Sequence, residues 1–185
     1  MRSDGLPVPL VACQGATVVD HGGRTPVDVL GDAATALVRT RADGGPATAT
    51  RVAFLDDADR RELRHRTELA AGLQRALGTD ELHLSYQPIV ELGTGRAVSA
   101  EALARWLRPH LGFVPPEQFV GVAEEFGLMT ELGSWVLDAA VAQVATWDRG
   151  GRVLPVTVNV SSHQLTPDFA DEVAAVLRRH GVAPG

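Results

Sequence analysis

The chain has 185 residues and a single cysteine, Cys13. One thiol cannot close an internal disulfide and has no second thiol with which to share a metal, so the sequence suits a reducing, cytoplasmic setting. Long apolar runs are missing too. No window approaches the ~18 apolar residues of a membrane span. The opening MRSDGLPVPLVACQG is interrupted by Pro7 and Pro9 before it reaches the length of a signal-peptide core. Positive charge is in deficit: 17 basic against 23 acidic side chains leave a net charge of −6. Such a chain is poorly suited to gripping long nucleic acid through its phosphates. One arginine or one bound metal ion would still suffice for a small phosphorylated ligand. Low-complexity runs and short tandem repeats are absent.

What remains is an ordinary folding composition, 45% hydrophobic and 22% charged, with room for one domain or for one domain and part of another. Three segments differ in texture. In residues 1–55, GATVVDHGG reads as a short strand ending in a glycine turn. Thr25 then stands where an N-cap should, with Pro26 at the first helical position. Val29, Leu30, Ala33, Leu37 and Val38 follow at helical spacing, and ATRVAF reads as a closing strand. One helix and two strands are too little for an independent core. Residues 56–79 hold an amphipathic helix with a thin apolar stripe (Leu63, Ala70, Leu73, Leu77), read as a linker helix packing on its neighbour or as a dimer helix.

From residue 80 to 185 strand and helix patterns alternate, which predicts α/β units and a mainly parallel sheet. LHLSYQPIVEL and GRAVSAEALARW read as strands joined by a hairpin turn at Gly93–Gly95. Two helices follow, with Phe119, Val122, Ala123 and Phe126 on the inner face of the first and Leu132, Trp135, Val136, Ala139 and Val144 on that of the second. VLPVTVNV is a strand. A last helix has Thr166 as N-cap, Pro167 at its first position and Gly181 as its stop.

Alternation of strand side chains sorts the polar residues. Ser99, Glu101, Leu103 and Arg105 share one face, and Val98, Ala100, Ala102 and Ala104 the other. Likewise His83, Ser85 and Gln87 oppose Leu82, Leu84 and Tyr86, and Thr157 and Asn159 oppose Val156, Val158 and Val160. Glu101 and Asn159 are oxygen donors that suit a hard cation such as Mg²⁺, Mn²⁺ or Ca²⁺. Two donors alone do not define a site. On alternation alone, an ion pair between Glu101 and Arg105, a strand-end turn at Asn159 and an edge amide at Gln87 are structural roles that take precedence over a shared site.

The motifs carry more than their spacing. EALARW (Glu101–Trp106), LSYQPIV (Leu84–Val90), PPEQFVGVAEEFGLMTELGSWVL and VNVSSHQL (Val158–Leu165) occur in the order, and at the spacing, of the EAL domain, the cyclic-di-GMP phosphodiesterase family, which residues 80–185 therefore resemble. The resemblance implies a TIM-like (β/α)8 barrel whose first strand is antiparallel, of which this chain holds the N-terminal half. It implies that Glu101 and Asn159 ligate Mg²⁺ or Mn²⁺. It also implies that Gln87, Leu103 and Arg105 contact the bases and phosphates of cyclic-di-GMP, and that metal-assisted hydrolysis yields linear pGpG. Trp106 is expected to pack. The chain ends at VAPG, about where the family's fourth strand would begin. The later acidic ligands, the paired aspartates and the catalytic lysine have no counterparts, so no catalytic set is complete and the chain alone is expected to be inactive. Residues 1–55 resemble the C-terminal remnant of a degenerate GGDEF domain, without its signature. The alternatives to an enzyme part are a non-catalytic module that binds cyclic-di-GMP or another protein, and a truncated chain with no folded function; a homodimer through the EAL domain or the linker helix is a further expectation.

Overall fold

The computed structural model describes residues 2–3, 6–7, 12–19, 25–42, 51–151 and 154–183. They fall into two compact units, residues 1–65 and 66–185. In the first, Arg2–Ser3 (β1) and Leu6–Pro7 (β2) form a short antiparallel ladder. Cys13–Thr17 (β3) pairs in parallel with Arg51–Leu55 (β4), and helix Pro26–Ala42 (α1) forms the connection. The start of α1 obeys the sequence signal: Thr25 Oγ1 accepts from the Asp28 amide at 3.2 Å while the Asp28 carboxylate accepts from the Thr25 amide at 3.0 Å. The glycine turn expected after β3 lies outside the described residues.

The inner face of α1 differs from the expected stripe. Ala36 and Thr40 are buried, whereas Leu30 and Val38 are exposed. The reason is a close approach at Gly15. A Cβ there would stand 2.0 Å from the Ala33 carbonyl oxygen, so the helix backbone itself rests on the strand and brings the Ala33, Ala36, Leu37 and Thr40 side inward. Arg60, in the first half of helix Asp57–Ala76 (α2), ties this unit together by donating to Asp32 Oδ2 (2.6 Å), Thr17 Oγ1 (2.6 Å) and the Leu55 carbonyl (3.2 Å).

The border between the units falls inside α2. Its C-terminal half supplies Leu69, Ala70, Leu73 and Ala76 to the core of the second unit. That unit continues with Leu82–Val90 (β5), Ala97–Arg108 (β6), Gly112–Val114 (β7), helices Pro116–Glu125 (α3) and Met129–Arg149 (α4), Val156–Val158 (β8) and helix Phe169–His180 (α5). The hairpin turn falls where expected, with Gly95 at φ +67°. The mainly parallel sheet does not materialise. β6 pairs antiparallel with β5 and β7, and parallel only with β8. Short turns can join strands only in antiparallel fashion, and one crossover, through α3 and α4, yields one parallel pair. β7 is a strand that the alternation of strand and helix patterns does not announce. Its hairpin with β6 is made possible by His110 and Gly112, both at positive φ.

The core lies between the sheet and the helices. Trp106 is fully buried, edge-on to Phe119 at 6.0 Å, and its Nε1 donates to Glu81 Oε2 at 3.1 Å. Phe119, Val122 and Ala123 are buried as expected, but Phe126 lies past the end of α3 and is exposed. In α4 the buried residues are Met129, Leu132, Gly133, Ala140, Val141 and Ala145, so the stripe drifts away from Ala139 and Val144. α5 begins later than Thr166 and Pro167 predicted. The Thr166 amide is drawn back to the Gln164 carbonyl (2.8 Å), and Asp168 takes the cap position. Gly181 ends the helix in the left-handed conformation.

Candidate functional site

The two faces of β6 part company as alternation requires. Ala100, Ala102 and Trp106 are buried under the helices, while Glu101, Leu103 and Arg105 remain partly accessible on the other side. Directly paired residues share a face, so the ladders arrange the polar side in rows. Gln87, Glu101 and Thr157 form one row across β5, β6 and β8. Ser85 and Leu103 form the next, and His83 and Arg105 the next after that. Asn159, two residues beyond Thr157, follows β8 toward the same end.

The two oxygen donors meet there. Asn159 Nδ2 donates to Glu101 Oε1 at 2.7 Å. A carboxylate can only accept, so the amide must present its NH2 to it, and Asn159 Oδ1 is thereby turned elsewhere. Among the described residues neither Glu101 Oε2 nor Asn159 Oδ1 has another hydrogen-bond partner. Arg105 forms no ion pair with Glu101 among the described residues; its Nη1 donates to the carbonyl of its neighbour Ala104 at 3.1 Å. Gln87 is exposed in the row beside Glu101. Tyr86, on the opposite face, packs edge-on against Trp147 at 4.8 Å, and burial pushes its phenol up from the usual range.

β7 and β8 take opposite ends of the same β6 edge, which leaves the stretch around Leu103–Arg105 open between them. A cavity of about 500 Å³ opens at this gap. Arg105, Asn159, Ser161 and Ser162 stand among its polar walls, and Phe119, Met129 and Leu132 among its apolar ones. Its rim after β8 is held by a capping box: the Ser161 amide donates to Gln164 Oε1 at 3.0 Å, and the His163 amide to Ser161 Oγ at 3.4 Å. Gln164 is buried against Gly133 of α4, where a Cβ would stand 1.8 Å from its Nε2. The sequence signal for this turn is the S-x-x-Q spacing of Ser161 and Gln164, that of a capping box.

The donors at Glu101 and Asn159 fit the kind of cation that keeps several waters and takes one or two carboxylates, as Mg²⁺ does, better than an all-protein cage. No group of three or more His, Cys, Asp or Glu able to hold a metal occurs among the described residues. Nor is any helix among them long and apolar enough to cross a membrane.

Residues 70–185, which include the sheet and its helices, match the sequence profile of the EAL domain family. That is more than half of the chain, and the chain belongs to this family. It is 34% identical over 182 residues to an uncharacterized signaling protein of Caulobacter vibrioides, with 98% of this chain and 22% of that protein covered. It is 39% identical over 130 residues to a cyclic di-GMP phosphodiesterase of Pseudomonas aeruginosa, with 69% of this chain and 22% of that protein covered. Among solved structures it resembles the MucR phosphodiesterase in complex with c-di-GMP. The TM-score is 0.60 and the identity 38%, over 63% of this chain and 48% of that one. The chain thus spans about a fifth of the length of these two curated relatives.

Proposed function

We propose that residues 66–185 form the part of a cyclic-di-GMP phosphodiesterase that holds a divalent cation, Mg²⁺ or Mn²⁺, and orients the dinucleotide. The carrying observation is the contact between Glu101 and Asn159 on the open face of β6, at the end where the cavity lies. Glu101 supplies the negative charge and Asn159 a neutral oxygen; the hydrogen bond between them restrains both side chains before a cation arrives. When bound, such a cation polarises a phosphoryl oxygen and lowers the pKa of a bound water. Arg105, farther toward the rim, donates to a phosphate oxygen. Gln87 offers a donor and an acceptor to a base edge, and Leu103 an apolar surface. The linear product pGpG follows from opening one phosphodiester of the ring.

The pair that would hold the cation includes one carboxylate, that of Glu101, and the sequence contains no lysine. These residues alone are therefore expected to bind and not to hydrolyse. The parallel strand–helix–strand unit of residues 12–55 supports reading the first unit as the end of a GGDEF-type domain.

Calorimetry with cyclic-di-GMP, with and without Mg²⁺ or Mn²⁺, tests the proposal. Binding that needs the cation and is lost in Glu101→Ala is the expected result. Cation-independent binding that survives Glu101→Ala but not Arg105→Ala would make the module a receptor instead, and no binding under either condition would refute the reading.

A further inference from the structure

On the open face of the sheet His83 lies directly across from Arg105. β5 runs antiparallel to β6, so its first residues stand at the end where β6 and β8 finish. His83 therefore shares the rim with Arg105 and Asn159, although it belongs to the strand's beginning. The imidazole is exposed. Neither it nor the Arg105 guanidinium has a carboxylate partner among the described residues. The nearest acidic side chain in sequence, Glu81, is engaged on the other side of the sheet by Trp106 Nε1. Glu101 accepts from Asn159 through Oε1, and Arg105 forms no ion pair with it among the described residues. Two side chains able to donate through N–H groups are thus set directly opposite each other, and among the described residues neither donates to a carboxylate. An anion placed between them can accept from both.

We propose that His83 and Arg105 together clamp a phosphodiester of the bound dinucleotide, and that His83 is thus a further ligand-binding residue. Side chains of a direct cross-strand pair start about 5 Å apart, which suits donation to two oxygens of one phosphate. Four residues separate Glu101 from Arg105, roughly 13 Å of strand. The clamp therefore meets a different phosphodiester from the one beside Glu101 and Asn159. A cyclic dinucleotide carries two, and a mononucleotide would leave one of the stations empty. This inference rests on the cyclic-di-GMP reading above and adds a second point of recognition to it.

Calorimetry on the intact chain with cyclic-di-GMP decides it, using His83→Ala, His83→Gln, Arg105→Ala and the His83→Ala/Arg105→Ala double variant. Thermal melts check that each is folded. His83→Ala should weaken binding about tenfold, the scale of a hydrogen bond to a charged group. His83→Gln, which keeps a donor, should recover most of that loss. The double variant should lose less than the sum of the two single losses, because both donors serve one phosphate. If the wild type binds and His83→Ala binds within twofold of it, the clamp is wrong while the cyclic-di-GMP reading stands. Fully additive losses would likewise overturn a shared phosphate. If the wild type does not bind at all, the underlying reading falls and the clamp falls with it.

Discussion

β6 has two faces with opposite chemistry. On one, Ala100, Ala102 and Trp106 are buried, and Trp106 joins residues of α2, α3 and α4 in one core cluster, with Trp106 and Phe119 both fully buried. On the other, Glu101, Leu103 and Arg105 keep solvent contact, and the hydrogen bond from Asn159, just past β8, to Glu101 is accessible. Both faces come from the same twelve residues. Stability is concentrated on the face where apolar area leaves water, and the proposed recognition falls on the face where polar groups are left with capacity to spare. Substitutions should separate the two.

The largest effect is expected from Trp106→Ala. Removing a fully buried indole should cost about 3–5 kcal/mol, measured by urea unfolding of the chain. A loss below about 1 kcal/mol would show that the closed face does not hold the second unit together. Gly133→Ala comes next. Its new Cβ would collide with the Gln164 side chain, 1.8 Å away, so Gln164 must leave its place and the Ser161 capping box must open. About 1–3 kcal/mol is expected, along with weaker cyclic-di-GMP binding, because this loop forms part of the cavity rim. A destabilised variant with unchanged binding would separate the loop from the site.

A smaller effect is expected where α5 meets α4, away from both faces. Asp138 accepts from His180 Nε2 at 3.0 Å and from Arg179 Nη1 at 2.6 Å. The hydrogen bond from His180, followed by that from Arg179, holds its carboxyl below the usual range. A carboxyl lowered on folding stabilises the fold fully above its unfolded value, about 3.9. That contribution disappears as the pH falls through the lowered folded value. Asp138→Asn should therefore flatten the acid limb of stability, by no more than about 1 kcal/mol because the group is partly exposed. An acid limb identical to wild type in melts below pH 4 would remove this contact from the account. The smallest change in stability belongs to Glu101→Gln, within about 0.5 kcal/mol, with cation-dependent ligand binding lost. A large destabilisation would mean that Glu101 serves the fold and that the two faces are not separable.

Much of this was legible in the sequence. Alternation in AVSAEALARW assigned Ala100 and Ala102 to the helices and left Glu101 and Arg105 on the polar side, because a strand has only two faces and burial chooses between them. Gly93–Gly95 announced the β5–β6 hairpin. Other features were not legible. The inner face of α1 depends on how closely Gly15 admits the helix backbone, so Leu30 and Val38 look inward in the sequence and are exposed in the structure. The β6–β7 hairpin depends on backbone angles at His110 and Gly112 that composition does not announce. The late start of α5 reflects a hydrogen bond from Thr166 back to Gln164, which wins over the cap signal at Thr166 and Pro167.

By itself, the order of residues determined which side chains are polar, which face of each strand they occupy and which motifs they spell, since alternation is a property of the extended chain. Only the tertiary structure decided which of them meet. Glu101 and Asn159 lie 58 positions apart, and the parallel register of β6 with β8 brings them into contact. His83 comes to face Arg105 because an antiparallel neighbour carries the start of one strand to the end of the next. Registers are set by how buried faces lock together across the sheet, and no local stretch of sequence contains that information.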